Sequence, residues 1–147
     1  MGIYNHTGQV VTDLERAKRF YQEVLGFKLW YELEPPDDMT AKLNGVEPPL
    51  NIKCSYLCLD GFVLELMHAR APGATEPYRP RTMSEPGLTH LSVSVPDIRA
   101  AAEKAVEYGG QILENTDVGV ALFIRDPEGQ LLELLTEEYR DRLPPKP

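Results

Sequence analysis

Hydrophobic and polar positions along this chain follow two different periods, and the order in which those periods succeed one another occurs twice. Residues 4–11 and 88–95 read as short strands. Leu14, Ala17, Phe20, Tyr21, Val24 and Leu25 then recur at spacings of three and four, as do Ile98, Ala101, Ala102, Ala105 and Val106, which is the spacing of one helix face. Asp13 and Asp97 stand where an N-cap accepts from the free N–H groups of the first turn, and Gly26 and Gly109-Gly110 supply left-handed stops. Strand patterns follow at about 27–33, 51–59 and 62–68, and again at about 111–114, 120–125 and 130–136, with Asp60-Gly61 and Pro127-Glu128-Gly129 as tight turns. The predicted unit is βαβββ, present twice, in an α+β fold.

Residue identities support the duplication. At an offset of 84, residues 6–29 match 90–113 at His6/His90, Val11/Val95, Asp13/Asp97, Ala17/Ala101, Glu23/Glu107, Gly26/Gly110 and Leu29/Leu113. At an offset of 68, Gly61 to Leu66 match Gly129 to Leu134, with the glycine, one leucine, the glutamate and the last leucine shared. The offsets differ by 16, so the first copy carries extra material, and residues 32–50 are the insertion. Its prolines and charges fit either a lid or an ordinary solvated loop. The chain of 147 residues is expected to be one domain: module 1 at about 3–68, a proline-bearing linker at 69–87, module 2 at about 88–136 and a tail at 137–147, disordered past Leu143.

Composition narrows the function. Fifteen Lys and Arg against 23 Asp and Glu give a net charge of −8, which disfavours nucleic acid because that binding depends on cations displacing counterions. No apolar run approaches the ~18 residues that a bilayer span needs. Met1 to His6 carry neither the basic nor the apolar region of an export signal, so a cytoplasmic location is expected. Cys54 and Cys58 lie four residues apart in one strand pattern, about 13 Å, too far for a disulfide; both are expected to be buried thiols.

Each copy retains one histidine in its opening strand and one glutamate in its closing strand: His6 and Glu65, His90 and Glu133. Alternation puts Glu65 on a face with Val63 and Met67, where a charge is costly unless it is paired or bound to a cation. Two imidazoles and two carboxylates make a competent shell for one divalent ion, with Zn, Ni, Co, Mn and Fe(II) all open. Four protein ligands in a six-coordinate site leave two positions for a substrate. Such an ion polarises a carbonyl, and Glu65 or Glu133 is then placed to act as base. His68 has the opposite strand parity and is expected to face away. Arg70, Arg79 and Arg81, with Tyr78, either clamp a substrate anion or remain solvated linker residues. Trp30, Tyr31, Phe62, Met67 and Phe123 either wall the pocket or fill the core.

These residues carry a resemblance. His6 with Asp13-Leu14-Glu15-Arg16-Ala17 and Phe20-Tyr21-Gln22-Glu23-Val24-Leu25-Gly26-Phe27, Gly87-Leu88-Thr89-His90-Leu91-Ser92-Val93, and Asp126-Pro127-Glu128-Gly129 with Leu132-Glu133-Leu134 make the chain similar, over residues 3–136, to the vicinal oxygen chelate superfamily of glyoxalases, bleomycin-resistance proteins and ring-cleaving dioxygenases. The resemblance implies an open, barrel-like mixed sheet with helices outside, formed by the paired modules around a metal at His6, Glu65, His90 and Glu133. It also implies a small-molecule substrate and a homodimer. Of the branches, the His, Glu, His, Glu set resembles bacterial glyoxalase I, a lyase whose metal ligand exchanges to base. Val10 stands where that enzyme's glutathione-binding arginine is expected, Ala69 where an asparagine is, and Glu114–Val120 has no lysine. Methylmalonyl-CoA epimerases usually have glutamine at the position of Glu65. The dioxygenase branch is the alternative; there Phe123 falls at a tyrosine position, and Asn115-Thr116-Asp117-Val118 offers no acid–base histidine. A second alternative is a metal-free, ligand-sequestering protein of the bleomycin-resistance kind. The expected activity is a metal-dependent lyase or isomerase reaction through an enolate.

Overall fold

The computed structural model describes residues 2–73, 79 and 83–144. The chain divides into two compact units, Met1–Pro77 and Tyr78–Pro147. Each contains a four-stranded mixed sheet with a helix on one face; the strands and main helix follow the order βαβββ expected from the sequence, with one further helix inserted between the second and third strands of the first unit.

In the first unit, β1 (Thr7–Val10) is followed by α1 (Leu14–Leu25), β2 (Lys28–Leu33), α2 (Asp37–Asn44), β3 (Ile52–Leu59) and β4 (Phe62–Ala69). Asp13 caps α1 by accepting from the Arg16 N–H at 3.0 Å. Gly26, at φ 76°, ends the helix, and the Phe27 N–H closes back onto the Tyr21 carbonyl at 3.1 Å. The six apolar residues picked out by period are the six that α1 buries. They pack against Val11, Leu57, Leu64 and Leu66, all of them fully buried. Strand order is β1-β4-β3-β2, with β1 parallel to β4 and the other pairs antiparallel. At the β3–β4 hairpin Asp60 and Gly61 both take positive φ, 47° and 78°, the twist that a two-residue hairpin favours. That turn sets Tyr56 directly opposite Glu65.

The second unit repeats the plan with β5 (His90–Val95), α3 (Ile98–Glu107), β6 (Gln111–Ile112), β7 (Ala121–Arg125), β8 (Leu131–Thr136) and a short α4 (Glu137–Asp141). Asp97 caps α3 through the Ala100 N–H at 2.9 Å. Its strand order, β5-β8-β7-β6, is the same as in the first unit, with β5 parallel to β8. Leu122, Ile124, Leu132 and Leu134 are fully buried on the helix side, along with Ala102 and Ala105. The Asp126 carboxylate accepts from the Glu128 and Gln130 N–H groups at 2.9 and 2.8 Å. This tightens the turn whose register sets Phe123 opposite Glu133.

Several expectations are corrected. The insertion holds a helix, α2, started by Pro36 and the first-turn acids Asp37 and Asp38 and stopped by Gly45 at φ 67°. The Asp37 carboxylate accepts from the N–H groups of Leu50 and Asn51 at 2.9 and 2.7 Å, fastening the segment to the start of β3. The strand expected at 111–114 stops at Ile112 and gives way to a 3-10 turn at Glu114–Thr116. The Thr116 hydroxyl causes this: it donates to the Leu113 carbonyl and accepts from the Phe123 N–H, replacing ladder bonds with side-chain bonds. On α3, Val106 is exposed and Ala101 only half-buried. Cys54 is buried but Cys58 only partly so, and both are free. The tail begins with a helical turn, and residues 145–147 lie outside the described residues. Among the described residues no helix is long and apolar enough to cross a membrane.

Candidate metal centre

Each unit brings together one histidine and one glutamate on the sheet face opposite its helix. In the first, Gly8 is the register partner of Glu65, so His6, two residues earlier, shares the face of Glu65 diagonally across the β1–β4 ladder. His6 Nε2 lies 3.0 Å from Glu65 Oε2. In the second, Ser92 is the register partner of Glu133 and His90 stands two residues earlier. Its Nε2 lies 3.6 Å from Glu133 Oε2.

The atoms left facing one another are the ones a cation needs. Asn5 Oδ1 holds His6 Nδ1 at 2.9 Å, and Thr89 Oγ1 holds His90 Nδ1 at 2.8 Å. A metal-bound histidine usually has its second nitrogen anchored in this way, which fixes the tautomer and aims the ring. Nitrogen and oxygen ligands at roughly 2.1 Å from an ion, at right angles, lie about 3 Å apart, the spacing of His6 and Glu65, while the 3.6 Å of His90 and Glu133 corresponds to a wider angle. Aromatic edges steady the rings: His6 meets Tyr56 at 5.6 Å and His90 meets Phe123 at 5.3 Å, both nearly perpendicular. The donor set thus fits a divalent ion. Among the described residues, no group of three or more His, Cys, Asp or Glu side chains is gathered as a metal-holding cluster.

The first unit's site holds residues that the repeat did not reveal. The Tyr56 hydroxyl donates to Glu65 Oε1 at 2.5 Å, and its ring stacks on Tyr31 at 4.3 Å. Burial first, then the hydrogen bond to Glu65 and its charge, push the Tyr56 phenol well above its ordinary range. Burial, and after it the hydrogen bond to Glu65, pushes the Cys54 thiol up to about 12. Gly8 leaves the room that this arrangement uses, since a Cβ there would meet the Met67 methyl at 2.8 Å and Glu65 Oε2 at 3.6 Å. Strand alternation of Cys54, Tyr56 and Cys58, read together with the Asp60-Gly61 turn, is the signal that would have found Tyr56.

The remaining candidates separate. His68 bonds the Val11 carbonyl at 3.0 Å and faces away from Glu65, as its parity implied. Phe62 packs near Tyr4 and Phe27, while Tyr31 lies against the site through Tyr56. A cleft of about 350 Å³ opens nearby, lined by Lys28, Leu29, Trp30, Cys58 and Val63. Arg70 donates to the Asn51 carbonyl and pairs with Glu34, and Arg79 pairs with Glu85 at 3.3 Å. Tyr78 and Arg81 lie outside the described residues.

Two four-stranded mixed sheets, each with a His–Glu pair on the face opposite its main helix, define the class. The model of the Glyoxalase/Bleomycin resistance protein/Dioxygenase superfamily matches residues 3–134, and the chain belongs to that superfamily. A lactoylglutathione lyase of Pseudomonas putida is 32% identical over 148 residues, 90% of this chain and 84% of its own length. A 2-epi-5-epi-valiolone epimerase of an Actinomyces species is 33% identical over 144 residues, 89% of this chain and 77% of its own. The trypanothione-dependent glyoxalase I of Leishmania major aligns with a TM-score of 0.68 at 25% identity, covering 92% of this chain and 87% of that one. The α+β fold is therefore the glyoxalase-like one.

Proposed function

We propose that the protein is a divalent-metal-dependent lyase or isomerase that acts through an enolate on a small substrate bearing adjacent oxygens, with one ion held by His6, Glu65, His90 and Glu133. The observation that carries this reading is the duplicated pair: in each unit a histidine anchored through Nδ1 turns Nε2 toward a carboxylate at ligand spacing. Relatives named as a lyase and as an epimerase support the reaction class.

The bound ion supplies Lewis acidity, drawing electrons from a substrate carbonyl so that the neighbouring C–H becomes acidic. The chain's own residues do the rest. His6 and His90 orient the site through their tethered rings. Glu133 is the base, removing the acidified proton and returning it on the adjacent carbon. Ser92 Oγ donates to Glu133 Oε2 at 2.7 Å and steadies the carboxylate between those roles.

Replacing Glu133 by Gln removes the base while keeping the shape of the side chain. The metal-loaded variant is expected to keep its melting temperature within about 3 °C and to lose at least about 100-fold in turnover. A screen of α-keto aldehyde thiol adducts, acyl-CoA thioesters and related 2-oxo compounds supplies the assay. Undiminished turnover by the variant would contradict the assignment.

A further inference from the structure

The two modules hold their carboxylates with different partners, although the repeat makes the carboxylates themselves equivalent. Glu65 is 8% exposed. Its Oε1 accepts from Tyr56 and its Oε2 faces His6, while Cys54 stands two residues before Tyr56 on the same strand, opposite Met67. In the second module, Phe123 occupies the register position opposite Glu133 that Tyr56 occupies opposite Glu65. The position equivalent to Cys54, paired with Met67, is Ala121, paired with Leu135. Neither Phe123 nor Ala121 has a side-chain donor. The Ser92 bond reaches Glu133 from the opposite side, at the position where the first module has Gly8. The side chain of Glu133 is 24% exposed, against 10% for that of Glu65.

A carboxylate bonded through one oxygen and aimed through the other is restricted to presenting a single oxygen. We propose that Tyr56 is a positioning residue that locks Glu65 into one orientation, with Oε2 turned toward His6 Nε2 and Oε1 withheld, so that Glu65 is the stationary carboxylate and Glu133 the movable one. The inference rests on the metal-dependent reading above and adds a division of labour between two residues that the repeat cannot tell apart. Tyr56 acts through Glu65, to which its hydroxyl donates.

Tyr56→Phe tests this, because the ring that stacks on Tyr31 and meets His6 is retained and only the hydroxyl is lost. The probe is cobalt(II) alone, followed by its visible absorption and by titration against a chelator. The variant is expected to bind cobalt roughly 10–100-fold more weakly, with a changed absorption spectrum as Glu65 becomes free to present either or both oxygens. A second variant works in the opposite sense: Phe123→Tyr places a hydroxyl opposite Glu133 and is expected to slow cobalt release to a chelator several-fold. If Tyr56→Phe matches the wild type in affinity and spectrum, or Phe123→Tyr leaves the release rate unchanged, the inference is overturned and the functional reading stands. A wild-type protein that takes up no cobalt overturns the functional reading itself and this inference with it.

Discussion

Asn5 and Thr89 differ in chemistry yet occupy the same place, one residue before each histidine, and each tethers a ring by Nδ1. The sequence comparison passed over them because the repeat preserves the function of the position and not its identity. Replacing either by Ala leaves the ring free to turn. Asn5→Ala and Thr89→Ala are each expected to weaken metal affinity about 10-fold or more, while the metal-free melting temperature stays within about 2 °C. Calorimetric titration of the metal-stripped variants checks this, and an unchanged affinity in both would show that the tethers do not aim the rings. The His6–Glu65 and His90–Glu133 pairs were legible because their residues are identical in both copies. Tyr56 was not, since its counterpart is Phe123 and its role appears only once the hairpin sets it against Glu65.

Whole elements were legible where period and cap agreed. Both long helices begin at an aspartate that accepts an N–H from the first turn, and both hairpins turn where Gly was placed. The short α2 escaped because Pro35 and Pro36 read as loop, although a proline and two acids at a helix start and a glycine at its end are themselves helix signals. An ionic cluster that no periodicity reveals joins α1 to the sheet. Lys18 lies 2.6 Å from Glu32 and 2.8 Å from Glu15, and Ser55 and Lys53 also meet Glu32. The hydrogen bonds from Lys18 and Ser55 hold Glu32 below the usual carboxylate range. Burial alone would lower Lys18, but its bonds to Glu15 and Glu32 outweigh that and raise it. Stability from Glu32 is therefore present above the ordinary carboxylate value and lost as pH falls through its depressed one; that from Lys18 is lost as pH rises through its raised one. Glu32→Gln is expected to cost about 0.5–1 kcal/mol near pH 7, roughly 1–4 °C in melting temperature. The gap should close as pH falls through the depressed value of Glu32, where the wild-type carboxylate protonates too. Melting curves across that range check the sign; a gap that widens in acid would contradict it.

At the scale of the molecule, the net charge of −8 is concentrated rather than diffuse. Residues 32–48 hold five acids against Lys42, and residues 111–136 hold five against Arg125, so each block contributes −4 and the rest of the chain is balanced. The first block now has a structural use, since Glu32 and Glu34 are in ion pairs and Asp37 fastens α2 to the start of β3. The second contains Glu133, whose charge, with that of Glu65, a divalent cation would neutralise. The central claim is that the two pairs serve a single ion. Calorimetric titration of the metal-stripped protein with Zn, Ni, Co and Mn is its most direct test, alongside the His6→Ala and His90→Ala variants. The account predicts one ion per chain and a loss of at least about 100-fold in affinity from either substitution. Two ions per chain, a loss confined to one variant, or no uptake of any of the four metals would contradict it.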